Sequence, residues 1–391
     1  MSVLQLPAKY FFGKNILNNN LATFLKQIKA KKVCLLYGKG SIKKNGVYDK
    51  VYHECKKAKI TCVEFSGIEP NPRNLTIDKA IAFVKQTKVD VIIAAGGGSV
   101  IDASKVIAAL ATNPQYKDCW SYIQDPSKLT KPPLKIISII TLAATGSENN
   151  GGSVITNAQT QIKTSVGNND CIPIGCFEDP TYTTTAPWYQ ICSGIFDIFS
   201  HLLEQYFDEK SLFAWTKQYI FANLKTLLAQ TKILVKDHKN YDALANILWT
   251  SSWALNSLAN FNNGQQTGWL CHRMEHAISG KWDVAHGMGL ALVTPIFLKY
   301  MTSKNKRYRD LTLDLAKEVF EVNTLPLFFK KLIEFINDLS APKKLTDFDL
   351  IKSVNKDDIK WLFNHYLTVY HPKKDSADYK NVKAILNLLP W

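Results

Sequence analysis

A carboxylate and several histidines in the second half of the chain have the types and spacing that hold a divalent cation. Asp197 and His201 stand four apart in the apolar stretch SGIFDIFSHLLEQYF. With no proline and only an early glycine, that stretch predicts a helix carrying both side chains on one face. His272 and His276 repeat the four-residue step in WLCHRMEHAISG, and His286 follows in DVAHGMGLALVTP at the expected entrance to another apolar helix. The candidate ligands are Asp197, His201, His286 and one of His272 and His276; spacing by itself leaves the last choice open. Three nitrogens and one oxygen suit Fe2+ or Zn2+. Such an ion polarises a carbonyl oxygen or lowers the pKa of a bound alcohol. Cys271 adjoins His272 but points about 100° away around a helix, so packing is its expected role.

At 391 residues the chain exceeds what one hydrophobic core usually spans, which predicts two domains. Its 46% hydrophobic and 21% charged content are those of a globular protein with a real core. No signal-like opening and no bilayer-length apolar run is present, so the expectation is a cytoplasmic enzyme with no membrane partner. The eight scattered cysteines, with no C-x-x-C pair, read as reduced thiols. A net charge of +15 invites a nucleic-acid reading. The excess is almost all Lys, with arginine only at Arg73, Arg273, Arg307 and Arg309. A base-reading surface favours the bidentate guanidinium fork, so solvated Lys faces and no nucleic-acid partner are expected.

Upstream, KVCLLYG, TCVEFSG, VDVIIAAGGG and KIISIIT are continuous apolar runs separated by helix-like segments such as NLTIDKAIAFVKQTK and SVIDASKVIAALAT. Runs apolar on both faces predict a parallel sheet covered by helices. GGSVITNAQTQIKTSVG predicts a hairpin, with addition to that sheet as the expected placement. In IIAAGGGSVIDASK, Gly96, Gly97 and Gly98 lie between strand and helix, where glycine lets a pyrophosphate approach free N–H groups at the positive helix end. YGKGSIKKNG forms a second glycine-rich turn after a strand, with Lys39, Lys43 and Lys44 and no acid to bind a ribose 2′-OH. That composition favours NADP(H) over NAD(H). Thr141, Thr145, Ser147 and Asn150, in ISIITLAATGSENNGG, could hydrogen-bond phosphates or a nicotinamide amide, or could simply cap a helix. After a Thr- and Pro-rich boundary at 181–187 the periodicity is helical to the end.

Taken in order, these segments resemble the iron-containing (group III) alcohol dehydrogenase family, in particular its butanol dehydrogenase and NADPH-dependent aldehyde reductase branch. The motifs that carry the resemblance are FFGKN, EPNP at 69–72, GGGSVIDASK, TLAATGSENN, the D-x-x-x-H of Asp197 and His201, and H-x-x-x-H-x9-H-G ending at His286 and Gly287. The resemblance implies an α/β N-terminal domain (1–184) with a Rossmann-like, nucleotide-binding parallel sheet, an all-α metal-binding domain (185–391), and a dehydroquinate synthase-like architecture with the site in the cleft. It implies Asp197, His201, His272 and His286 as ligands of one Fe2+ or Zn2+, with His276 beside the ion, and a homodimer. The cofactor would touch Gly38, Gly40, Ser41, Asn71, Gly97, Gly98, Ser99, Thr141, Thr145, Asn150 and Lys163. LAATGSENN departs from the T-A-G-T-G-S-E form of other branches, and Lys39 stands inside the first glycine-rich turn.

The expected reaction is hydride transfer between nicotinamide C4 and a small alcohol or aldehyde. His276 would relay the proton, and Asp102 would position a helix or the substrate. Trp253, Phe261, Trp269 and Trp282 would line a pocket for an apolar tail. Two rival readings share the fold. A dehydroquinate synthase-like lyase, dependent on metal and NAD, would need clustered basic residues near the ion, where only Arg273 is at hand. A basic binding protein without turnover would bind DNA in a salt-dependent way and hold no metal.

Overall fold

The computed structural model describes residues 9–207, 213–256, 258–259 and 268–391. The chain divides into two compact units, the first ending at Pro187 and the second running from Trp188 to Trp391. The strands are β1 (Tyr10–Phe12), β2 (Lys32–Tyr37), β3 (Thr61–Ser66), β4 (Val91–Gly96), β5 (Lys135–Ile140), β6 (Gly152–Thr156), β7 (Lys163–Gly167) and β8 (Gly175–Glu178). Six of them form a sheet in the order β1-β8-β5-β4-β2-β3, with every neighbouring pair parallel. Parallel strands need crossovers, and these are the helices α1 (Asn20–Gln27), α2 (Ser41–Lys44), α3 (Val47–Ala58), α4 (Asn74–Thr87), α5 (Gly98–Thr112) and α6 (Cys119–Gln124). The continuous apolar runs of β2, β4 and β5 are buried, as strands covered on both faces must be.

Strands β1 and β8 were not legible in the sequence. At three and four residues, the second lying within IPIGCFEDP, they are too short to show a period.

The chain steps outward from β2 to β3, then returns across β2 to reach β4. Strand order therefore reverses between β2 and β4, and open α/β sheets bind ligands beyond the carboxyl ends at such a point. The turn at Gly38–Ser41 leaves β2 there, and Gly97–Ser99 leaves β4. Next to them, Thr141 continues β5 and donates its N–H to Gly96 O at 3.0 Å.

β6 and β7 form the expected antiparallel hairpin, but as a separate two-stranded sheet; their addition to the main sheet is corrected. Side chains of α5 satisfy the hairpin edge instead. Asp102 Oδ2 accepts from Val154 N at 2.8 Å, and Lys105 Nζ donates to Gly152 O at 2.6 Å. Ser147 Oγ joins the two groups, donating to Asp102 Oδ1 at 2.5 Å and accepting from Lys105 Nζ at 2.7 Å. Burial raises the Asp102 carboxyl despite Lys105 beside it, and burial pushes the Lys105 ammonium down to about 8 against the pull of Asp102. Asp102 thus clamps α5 to the hairpin and to the turn after β5.

The second unit is helical: α7 (Trp188–Tyr206), α8 (Ala214–Lys236), α9 (Tyr241–Ala254), α10 (Leu270–Trp282), α11 (His286–Lys304), α12 (Lys306–Glu318), α13 (Leu325–Asp338), α14 (Lys356–Tyr370) and α15 (Ala377–Leu386). Among the described residues no helix is long and apolar enough to cross a membrane. Replacing Asp102 by Ala leaves the Lys105 ammonium buried without its carboxylate. Urea unfolding is expected to show a loss of about 3 kcal/mol, the low end for breaking a buried charge pair.

Candidate metal centre and cofactor platform

Helix α7 carries Asp197 and His201 one turn apart on its buried face. Helix α10 carries His272 and His276 in the same relation, and His286 is the first residue of α11. Glycine makes the close packing of these helices possible. A Cβ on Gly287 would lie 1.8 Å from Ser193 O on α7, so no larger residue fits there without moving the backbone. α11 therefore lies against the turn that precedes Asp197.

Three imidazole nitrogens surround one oxygen. Asp197 Oδ1 lies 3.4 Å from His201 Nδ1, 3.8 Å from His272 Nε2 and 3.6 Å from His286 Nε2. Asp197 Oδ1, His201 Nδ1 and His272 Nε2 are buried and make no hydrogen bond. Unpaired buried polar atoms cost free energy, and the ligand atoms of Asp197, His272 and His286 all lie within 4.8 Å of one another, an arrangement a cation relieves, with His201 beside the same carboxylate. The separations from Asp197 Oδ1 are close to the spacing of about 3.4 Å between ligand atoms of a tetrahedral ion with bonds of about 2.1 Å. The donor set, one carboxylate and three imidazoles, is that of Fe2+ or Zn2+. Of the two histidines that spacing could not separate, His272 faces Asp197. His276 bonds through Nδ1 to Tyr370 Oη at 2.9 Å, and its ring centroid lies 5.6 Å from that of His286.

The electrostatics follow from burial among these charges. Burial would raise the Asp197 carboxyl, but His201, with His286 and His272, holds it well below the usual carboxylate range. Burial pushes His201 down to about 3 against the attraction of Asp197. His272 is also penalised by burial, yet Glu204 and Asp197 lift it to about 9. Burial likewise raises the Cys271 thiol far above its ordinary value, leaving a neutral packing residue.

Two residues passed over in the sequence complete the centre. Glu204 on α7 accepts from His272 Nδ1 at 2.5 Å and from the backbone N–H groups of His272 and Cys271 at 3.0 and 3.1 Å. Glu275 on α10 bonds His286 Nδ1. The available signals were D-x-x-x-H-x-x-E and H-x-x-E-H, which put each Glu on the ligand face of its helix. Of the aromatic residues, Trp269 lies edge-on to His201 and His272, at centroid distances of 5.8 and 5.1 Å. Trp253 packs on Trp249, the Lys281 ammonium lies over Trp282, and Phe261 lies outside the described residues.

In the first unit the candidate cofactor residues lie on the loops at the carboxyl ends of the strands and on the hairpin. Gly40, with φ 150°, caps α2, whose first residue is Ser41. Gly97 and Gly98 open α5, followed by Ser99, with no side chain capping the free N–H groups. A Cβ on Gly98 would lie 2.4 Å from Thr145 Oγ1, so this turn and the one after β5 touch. Asn150 Oδ1 accepts from Gly152 N at 2.9 Å. Asn71, at φ 49°, accepts from Lys163 Nζ at 2.8 Å, which joins the EPNP loop to the hairpin. Lys43 stacks over Tyr48 and Tyr37, at 4.6 and 5.7 Å.

The first unit carries glycine turns at its strand ends and the second a buried acid-and-imidazole cluster, the two parts that a metal-assisted, nucleotide-dependent enzyme requires. Residues 7–180 match the model for iron-containing alcohol dehydrogenases, and residues 191–388 match the C-terminal model of the Fe-containing alcohol dehydrogenase family. The chain is 38% identical to NADH-dependent butanol dehydrogenase A of Clostridium acetobutylicum over 89% of each protein. It is 32% identical to NADPH-dependent aldehyde reductase YqhD of Escherichia coli over 93% of each. The crystal structure of a Thermotoga maritima NADH-dependent butanol dehydrogenase A superposes with a TM-score of 0.88 at 33% identity, covering 100% of this chain and 98% of that one. The chain belongs to the iron-containing alcohol dehydrogenase family. It is an enzyme that interconverts alcohols and aldehydes.

Because His272 is lifted to about 9, the metal-free protein keeps that proton at neutral pH, and a bound ion must displace it. Metal affinity, followed by chelator competition, is expected to rise about tenfold per pH unit up to about 9 and then level off. The stability of the metal-free fold moves the other way: the His272 contribution is complete below its unfolded value and is lost as pH rises through 9.

Proposed function

We propose that the protein is an NADP(H)-linked, metal-dependent alcohol dehydrogenase and aldehyde reductase, acting on short- to medium-chain substrates. Asp197, His201, His272 and His286 hold one divalent ion, Fe2+ or Zn2+. The observation that carries this reading is the cluster of Asp197, His272 and His286, whose ligand atoms all lie within 4.8 Å of one another, with His201 Nδ1 3.4 Å from the same carboxylate oxygen. The dinucleotide is assigned to the first unit, its pyrophosphate at Gly97, Gly98 and Ser99 on the free N–H groups of α5. Gly38, Gly40, Ser41, Asn71, Thr141, Thr145, Asn150 and Lys163 complete the platform. Preference for the 2′-phosphate is supported by Lys39 in the first turn and by the lack of an acid there. The eight free cysteines fit a reducing, cytoplasmic setting, and the homodimer implied by the family belongs to the same reading.

In this mechanism the ion supplies Lewis acidity toward the substrate oxygen, and the nicotinamide supplies or accepts the hydride. The chain does the rest. Asp197 brings the negative charge that retains a divalent cation, while the imidazoles add donors without adding charge. Trp269 shields the histidines. His276 is the proton carrier. Its Nδ1 is held by Tyr370, and the imidazole so oriented delivers a proton to the product alkoxide and takes one from an alcohol in reverse.

His272→Ala is expected to abolish both metal content and turnover. His276→Ala is expected to keep the metal and lower kcat by about 10²- to 10⁴-fold, the usual worth of a proton-transfer group. Elemental analysis beside initial rates distinguishes them, and equal metal loss in both would overturn the ligand assignment. With butanal, NADPH is expected to support much faster initial rates than NADH; a clear NADH preference would refute the reading of Gly38 to Lys44.

A further inference from the structure

The two buried glutamates beside the centre share one geometry. Each sits on one helix and bonds Nδ1 of a ligand histidine on the next: Glu204 of α7 to His272 of α10, and Glu275 of α10 to His286 of α11. In both histidines the opposite nitrogen, Nε2, faces Asp197 Oδ1, at 3.8 and 3.6 Å. An imidazole that donates its Nδ1 proton to a carboxylate leaves the Nε2 lone pair for a metal, and the bond fixes the ring plane. The local backbone accommodates these carboxylates. Glu204 also takes the first N–H groups of α10, tying that helix start to α7. A Cβ on Gly289 would lie 2.7 Å from Glu275 Oε1, so glycine on α11 leaves that carboxylate its space. Both glutamates are buried, at 8% and 0% exposure. With Asp197 they are three carboxylates bonded to or facing the same two imidazoles, a negative cluster that favours a cation.

We propose that Glu204 and Glu275 are positioning residues for the divalent ion, each holding a ligand histidine in the tautomer and orientation that turn Nε2 toward Asp197. The carboxylates link α7 to α10 and α10 to α11, so correct docking of the three helices and correct aim of the ligands are one event. The inference rests on the metal reading above. Metal binding by the unaltered protein tests that reading, and the glutamate variants test the inference.

The experiment measures Zn2+ affinity by chelator competition, and the visible absorption of the Co2+-loaded protein, for Glu204→Gln, Glu275→Gln and the two corresponding Ala variants. Gln keeps an acceptor oxygen and the side-chain volume but loses the charge. Affinity is expected to fall about 10- to 100-fold, the usual cost of removing such a partner, with each Gln variant between wild type and Ala. The Co2+ bands are expected to shift in position or intensity, while the metal-free Gln variants still unfold in a single cooperative transition. Wild-type Zn2+ affinity and Co2+ spectra in both Gln variants would overturn the proposal. So would metal loss that appears only together with collapse of the unfolding transition, which marks a purely structural role.

Discussion

The second unit depends on the cost of burying Asp197. A carboxylate removed from water must be compensated, and the compensation here comes from rings on three helices rather than from Lys or Arg. Neutral imidazoles relieve only part of that cost. The centre is consequently polarised in opposite directions, with His201 held neutral and His272 held charged within 4.5 Å of each other, ring to ring. In the proposed reading a divalent cation would resolve this tension by replacing the proton on His272 and by giving Asp197, His272 and His286 a common partner.

Close helix packing is the mechanical counterpart of that electrostatics. Ligands on α7, α10 and α11 converge only if the helices approach to backbone distance, and Gly287 over Ser193 O sets that distance. In the first unit a polar clamp serves the comparable purpose. Asp102, Ser147 and Lys105 join α5, the turn after β5 and the hairpin, so the loops around the glycine platform are tied to one helix. Lys105 is nearly inaccessible, and Ser147 bonds both Asp102 and Lys105, so the buried polar network is connected and adds rigidity.

Much of this was legible in the sequence. Apolar runs predicted β2 to β5, the polar turn predicted the β6–β7 hairpin, and the glycine clusters marked the β2 and β4 exits, because each signal lies within a few residues of itself. The four-residue steps of Asp197 with His201 and of His272 with His276 were readable for the same reason, and the family resemblance rested on their order. Strands β1 and β8 were missed because three or four residues carry no period, and they exist through pairing with each other and with β5. Glu204 and Glu275 were missed because a Glu at helical spacing is ordinarily a solvated residue, and only its partner on another helix distinguishes it.

The chain's own order of residues determined which side chains share a helix face, where strands give way to glycine turns, and the kind of donor set available for a metal. These are short-range properties, set by dihedral preference and side-chain period. Tertiary structure decided that His272 rather than His276 turns toward Asp197, that Asp102 clamps the hairpin, and that the hairpin stands apart from the main sheet. Each of these outcomes is a contact between segments far apart in the chain, and such contacts are set by how helices and sheet pack, through close approach at glycine and the requirement that buried polar atoms find partners.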